Sequence, residues 1–350
     1  MTDSPSNPTT LTSPVVFFIF NRPETTKRVF DEIRQARPAT LFVIADGPRP
    51  EQPTDIERCQ AARAIVENPD WSCKLITHYA ASNLGCGQRI ISGLDWVFTQ
   101  VEQAIILEDD CLPDPSFFRF CDSLLNHYQQ DSRVMHVSGH NRLMQWRSQQ
   151  SRYFATYLYG SPWGWGTWRR AWQHFCKDQD QWRSLAHQAN VAELMGTQAL
   201  LDSFLHPFKN YPMSQLANEW GFIWTLSKLL QGGVSILPSK NLVSNIGIGS
   251  GATHTKGGNA LLFQDTPRYA LAFPLHHPTD LAVDYDYEQQ HLLWYQGKSD
   301  PSLLLPLVHH LMAQKRMIHA LIVLEKILKD SAETAKYLAL KQKIMQQLRP

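Results

Sequence analysis

The chain has 350 residues and a net charge of +1, from 33 Lys/Arg against 32 Asp/Glu. That length predicts one large α/β domain plus an appendage, and the balanced charge without a dense basic block argues for a small partner rather than a nucleic acid or a membrane-surface footprint. Six scattered cysteines without CxxC or Cys/His ligand spacing indicate neither a zinc site nor a disulfide scaffold. The Ser/Thr/Pro-rich start through Pro14 lacks a signal-peptide pattern and no apolar run is long enough to span a bilayer, so the expectation is a soluble cytoplasmic protein with no integral membrane segment.

From the N-terminus, the apolar run Pro14 to Phe20 predicts a buried strand, and Pro23 opens a helix through Ala36. A second strand, Thr40 to Ala45, ends in the turn Asp46-Gly47-Pro48. A helix over Thr54 to Val66 leads to the strand Cys73 to Tyr79. Asn83-Leu84-Gly85-Cys86-Gly87 breaks the chain before a helix from Gln88 to Val101 and the strand Ala104 to Leu107. Such alternation predicts right-handed crossovers and a mainly parallel sheet flanked by helices.

Beyond Asp110 the pattern predicts a helix (Ser116 to Tyr128), a strand (Arg133 to Ser138) and a long irregular stretch through Trp165. Leu200 to Phe208 and Glu219 to Gln231 read as helices, Val234 to Leu237 as a strand, and Asn245 to Asn259 as a Gly/Ser/Thr-rich loop. From residue 302 the periodicity is helical over Leu303 to Met312, Ile318 to Lys329 and Glu333 to Leu348. The expected organisation is a flexible 1–13, a catalytic domain over 14–275 and an extension over 276–350. The extension's helices offer a homodimer or partner contact, or simply a cover for the core.

The most informative residues are Glu108-Asp109-Asp110, three carboxylates at the end of a buried strand, where open α/β sheets keep their ligands. Acids so close together need a counter-charge, and hard oxygen ligands suit Mg²⁺ or Mn²⁺. A solvated turn is the competing reading. Asp46 can accept from a base or ribose and Arg22 can pair with phosphate; equally, Asp46-Gly47 is a plain turn and Arg22 a partner of Glu24. Gly85 and Gly87 allow close backbone approach or merely turn the chain. In Trp163-Gly164-Trp165-Gly166, indoles projecting to one side would form plates for sugar C–H faces, with a packed aromatic cluster as the alternative.

The order Asn21-Arg22-Pro23, Asp46-Gly47, Asn83-Leu84-Gly85-Cys86-Gly87 and Glu108-Asp109-Asp110 resembles nucleotide-sugar glycosyltransferases of the GT-A fold, particularly the N-acetylglucosaminyltransferase I type, over Val15 to about Phe263. The resemblance implies a metal-dependent transfer from a nucleoside-diphosphate donor, a UDP-sugar, to a hydroxyl of a glycan or other acceptor, with inversion. It implies nucleotide contacts for Arg22 and Asp46, with Asn83, Gly85, Gly87, Glu108 and Asp109 around the donor, and Asp110 as metal ligand. Glu219, before Trp220, takes the place of the general base, although Gly221 stands where bacterial relatives carry a further acid. Gly247 to His254 resembles the family's substrate-closing loop, with Gly249 and Gly251 at the donor and His254 at the metal or diphosphate. Trp163 and Trp165 fall at its acceptor-facing loop. The alternative is a non-catalytic nucleotide-sugar or carbohydrate-binding protein on the same fold.

Overall fold

The computed structural model of the protein describes residues 11–148, 152–247, 265–296, 304–330 and 334–348. Its first half alternates β1 (Val15–Ile19), α1 (Pro23–Ala36), β2 (Thr40–Ala45), α2 (Thr54–Val66), β3 (Lys74–Tyr79), α3 (Cys86–Val97) and β4 (Gln103–Glu108). A three-residue strand, β5 (Cys111–Pro113), then precedes α4 (Ser116–His127), where a helix alone was expected. Next come β6 (Val134–Ser138), β7 (Tyr153–Thr156), β8 (Trp165–Trp168) and the short helices α5 (Arg169–Trp172), α6 (Trp182–Ala186) and α7 (Ala189–Leu194). The helices α8 (Gln198–Asn210), α9 (Met213–Asn218) and α10 (Trp220–Leu230) lead to β9 (Val234–Pro238) and β10 (Val243–Asn245). The chain finishes on α11 (Tyr285–Tyr295), α12 (Leu305–Ala313), α13 (Met317–Asp330) and α14 (Thr334–Gln347).

Eight strands form one sheet in the order β3-β2-β1-β4-β8-β6-β9-β7, and β5 pairs with β10 in a small antiparallel ribbon. The pairs β3/β2, β2/β1, β1/β4 and β6/β9 are parallel, whereas β8 runs antiparallel between β4 and β6, and β7 antiparallel beside β9. The result is a mixed α/β fold with a mostly parallel central sheet. The stretch read as irregular through Trp165 thus contains one strand, β7, and a second, β8, starts at its last residue. Both are four residues long, and Gly166 interrupts the side-chain pattern of β8, so their strand character comes from their partners more than from local composition.

Alternate residues of β1 serve opposite faces, the spacing a pleated strand imposes. Val15, Phe17 and Ile19 pack with Phe30 and Ile33 of α1, Val66 of α2 and Phe117 of α4 on one face. Val16 and Phe18 pack with Leu94 of α3, Phe208 of α8 and Trp224 of α10 on the other. A third cluster joins Leu237 of β9 and Phe154 of β7 to Tyr287 of α11 and to α12, α13 and α14. The C-terminal helices therefore cover the far edge of the sheet. Among the described residues no helix is long and apolar enough to cross a membrane.

Candidate functional site

The strand order sets the location. The chain builds outward from β1 to β2 and β3, then returns to place β4 on the other side of β1, and open α/β sheets hold ligands at such a reversal, beyond the carboxyl ends of the strands. Phe18 of β1 lies opposite Glu108 of β4, so the residues after each strand emerge side by side. Arg22 leaves β1 there, and Asp109 and Asp110 leave β4.

They meet directly. The Arg22 guanidinium donates to Asp110 Oδ2 at 2.9 Å and pairs closely with Asp109, whose Oδ2 also accepts from the Phe20 N–H at 3.2 Å. Glu24, the open alternative for Arg22, pairs instead with Arg58 at 3.2 Å. Burial disfavours the Arg22 cation, but the charges of Asp109 and Asp110 outweigh it and hold its pKa above the usual value. Among the described residues Glu108 forms no ion pair of its own, and Arg22 only partly offsets its charge. Burial first, then the neighbouring charge of Asp110, pushes its carboxyl up to about 8, and burial raises Asp109 to about 6 despite Arg22. The Cys86 thiol, at the start of α3, is driven well up by burial and then by Glu108 and Asp110, so α3 begins against the acids.

Gly247 closes this group from above. A Cβ there would lie 2.4 Å from Asp110 Oδ2 and 2.5 Å from Arg22 Nη1, so only a glycine lets the backbone pass so near. The position is held by Ile246 N–H to the Asp110 carbonyl (2.8 Å) and by Gly247 N–H to Asn245 Oδ1 (2.9 Å). Gly249, Gly251 and His254 lie outside the described residues. Asp265, where the described chain resumes, donates its N–H to the Asn245 carbonyl at 2.8 Å, so both ends of that stretch are anchored beside Asp110.

Asp46 is buried, and its carboxylate is taken up by protein donors. It accepts from the N–H groups of Gly47 (2.9 Å), Leu84 (2.9 Å) and Gly85 (3.1 Å) and from the Asn83 amide (2.9 Å). A carboxylate has about four lone-pair positions, so little capacity remains for a ligand. Burial still raises its pKa, against the lowering effect of those backbone bonds. In this structure Asp46 and Asn83 shape the turn, where Gly85 adopts a φ of +82° and begins α3. On the outer side, Asp55 binds Arg49 Nε (2.6 Å) and the Asn21 amide (2.6 Å), and Arg49 lies over the Phe20 ring. No sequence signal marked this pairing, since Asp55 reads as an ordinary first-turn helix acid.

Glu219 arrives from the other half of the chain. It caps α10 at the joint with α9, and that joint sits on α3: a Cβ on Gly87 would lie 2.4 Å from the Ala217 carbonyl and 3.1 Å from Asn218 Cα. Because Cys86, next to Gly87, faces the acids, the Glu219 corner borders the same cluster. Gly221 in turn faces Pro162, so the loop carrying Trp163 flanks that corner.

The two tryptophans of that loop do not project to one side. Gly164, at φ +63°, reverses the chain, so Trp163 packs half-buried with the first core face while Trp165 is buried on the second, against His136, Trp220 and Trp224. Trp165 is a core residue here. Trp163 instead stands at the ligand edge, its ring 4.8 Å from that of His140 and beneath the Arg142 guanidinium. Neither His140 nor Arg142 carried a motif in the sequence.

The donor chemistry bears on a metal. Arg22 pairs with two of the three carboxylates, and the third, Glu108, is held protonated chiefly by burial and then by the charge of Asp110. Among the described residues no group of three or more His, Cys, Asp or Glu is arranged to hold an ion. Mg²⁺ and Mn²⁺ commonly take one or two carboxylates and complete their shell with water and substrate phosphate, a pattern that Asp110 and Glu108 fit.

No family model matches the chain. No curated protein matches it either. Among solved structures, a UDP-glucose pyrophosphorylase complexed with UDP-glucose aligns at 12% identity and a TM-score of 0.25, covering 41% of this chain and 63% of that one. Mouse xyloside xylosyltransferase 1 in its apo form aligns at 11% identity and a TM-score of 0.30, covering 63% of this chain and 81% of that one. The chain thus spans less than two thirds of the pyrophosphorylase, and overlap at these TM-scores establishes neither fold family nor activity.

Proposed function

We propose that the chain is a GT-A-type glycosyltransferase that moves a sugar from a nucleoside diphosphate, a UDP-sugar, to a hydroxyl acceptor with inversion. The observation that supports this reading is the meeting of Arg22, Asp109 and Asp110 at the β1/β4 reversal under the Gly247 backbone, with the Glu219 corner beside it. The sequence resemblance supplies the reaction class; the strand order supplies an independent reason to expect a ligand there.

In the proposed reaction Asp110, with Glu108 beside it, would hold Mn²⁺ or Mg²⁺, which would supply positive charge for a departing diphosphate. Arg22 pairs with Asp109 and Asp110 and fixes their positions. Asp46 and Asn83 hold the 83–85 turn that shapes the nucleotide side, with Gly85 and Gly87 bringing backbone close. Glu219 takes the proton of the acceptor hydroxyl as its oxygen attacks the anomeric carbon. Trp163 offers its face to the acceptor, and His254, Gly249 and Gly251 keep their donor-side roles on the resemblance alone.

The test combines a nucleotide-sugar panel with one variant. Wild-type protein should bind a UDP-sugar only with Mn²⁺ or Mg²⁺ and slowly release UDP. Glu219→Gln should bind the donor as before yet lose transfer by about 10²-fold or more. Binding without turnover in the wild type would leave a carbohydrate-binding module; no cooperation between metal and any nucleotide sugar would end the proposal.

A further inference from the structure

We propose that the outer face of the α13/α14 hairpin docks on a membrane surface rich in anionic lipid. Both helices already bury one side: Ala320, Val323, Leu324 and Ile327 of α13, with Tyr337 and Ile344 of α14, pack against Leu307 and Leu311 of α12. A second apolar stripe is therefore surplus to the fold. Ile318, Ile322, Leu338, Met345 and Leu348 are between 38% and 63% exposed, whereas the other large exposed apolar side chains among the described residues, Ile56, Leu84, Phe222 and Tyr285, belong to four separate elements or loops.

The stripe is continuous across the two helices. Ile318 and Ile322 are one turn apart on α13, and Glu325 follows on the same face; Leu338, Lys341, Met345 and Leu348 follow helical spacing along α14. Lys341 Nζ pairs with Glu325 at 3.1 Å, which places the two rows side by side.

Charge selects the occupant. Residues 315–350 carry eight Lys/Arg and three Asp/Glu, a net +5, which leaves −4 for the rest of a chain whose total is +1. The whole-chain balance conceals this segregation. A second copy would bring one segment of net charge +5 against another, which is unfavourable in an isologous pair. A nucleic acid would reward the lysines but not an Ile/Leu/Met row that lacks stacking aromatics. An anionic bilayer rewards both, because the aliphatic side chains enter the headgroup boundary while lysines meet lipid charge. No described helix spans a membrane, so the helices would lie along it.

The experiment is co-sedimentation of the full chain with phosphatidylcholine vesicles, with and without about 30 mol% phosphatidylglycerol. Binding should be about tenfold tighter to the anionic vesicles and weaken in high salt. Ile318→Ser/Ile322→Ser/Met345→Ser and, separately, Lys315→Gln/Lys343→Gln should each lose about tenfold with an unchanged unfolding temperature. Absent binding, equal binding to neutral vesicles, or full binding by both variants would overturn the proposal. So would a wild-type dimer in solution that the triple variant dissolves, since a second copy would then own the stripe.

Discussion

Gly247 and Asp110 approach so closely that a single methyl group on the glycine would sit 2.4 Å from the carboxylate Oδ2 and 2.6 Å from Asp110 Cβ. The Arg22–Asp110 pair is thus clamped between β4 and the end of the β10 ribbon. Gly247→Ala should displace both side chains, with a stability cost of about 1–3 kcal/mol from overpacking and a loss of about tenfold in metal-dependent donor binding. Calorimetric titration of Mn²⁺ and UDP-sugar into the variant checks this; wild-type affinity would show that the pair is not part of the donor site.

Glu108 gives the cluster a pH signature. Its carboxyl, pushed up to about 8 by burial and by Asp110, keeps a proton in the folded protein that the unfolded chain releases near its ordinary 4.5. That contribution to stability is fully present below about pH 4.5 and is lost as pH rises to about 8, with a slope of up to about 1.4 kcal/mol per pH unit. Denaturant unfolding across that window should show the fall, and Glu108→Gln should flatten it. Metal competes with the same proton, so Mn²⁺ affinity should rise with pH and level off near 8.

For Asp46, the hydrogen bonds predict a structural phenotype. Asp46→Ala leaves the half-buried N–H groups of Leu84 and Gly85 without their acceptor and should cost about 1–3 kcal/mol, measured by chemical denaturation. Asp46→Asn, which keeps one acceptor oxygen, should lose less. If Asp46→Ala matched the wild type in stability while losing nucleotide affinity, the carboxylate would belong to the ligand and not to the turn.

Trp163→Ala should raise the acceptor KM by about tenfold with little change in the donor KM, because the indole stands at the rim beside the Pro162–Gly221 contact. Trp165→Ala provides the contrast: removing a fully buried indole should destabilise the protein by about 3–5 kcal/mol whatever the substrate. Steady-state kinetics and thermal unfolding of the two variants separate the roles.

Much of the nucleotide-side half was legible from local pattern. The apolar runs of β1, β2 and β4 are five or six residues long and buried on both faces, so their composition alone marks them as interior strands. α2 runs from Thr54 to Val66 as its spacing predicted. The acids at the end of β4 were conspicuous because carboxylates rarely follow such a run without a purpose. In the second half the signals weaken. β5 and β10 have three residues each, and β7 and β8 four, too short for periodicity to declare them before their partners are in place.

From the sequence a phosphate and Glu24 stood equally open to Arg22; the parallel pairing of β1 with β4 put Asp109 and Asp110 beside it and more deeply buried than Glu24, where Coulomb attraction is less screened. Asp46 and the N–H groups of Leu84 and Gly85 are nearly forty residues apart, and Gly87 and Ala217 well over a hundred. Composition and spacing report which segments prefer to be strand, helix or turn, because those preferences are local. Which acid faces which base, and which indole is core and which is rim, follows from long-range packing, and no window along the chain contains both halves of those contacts.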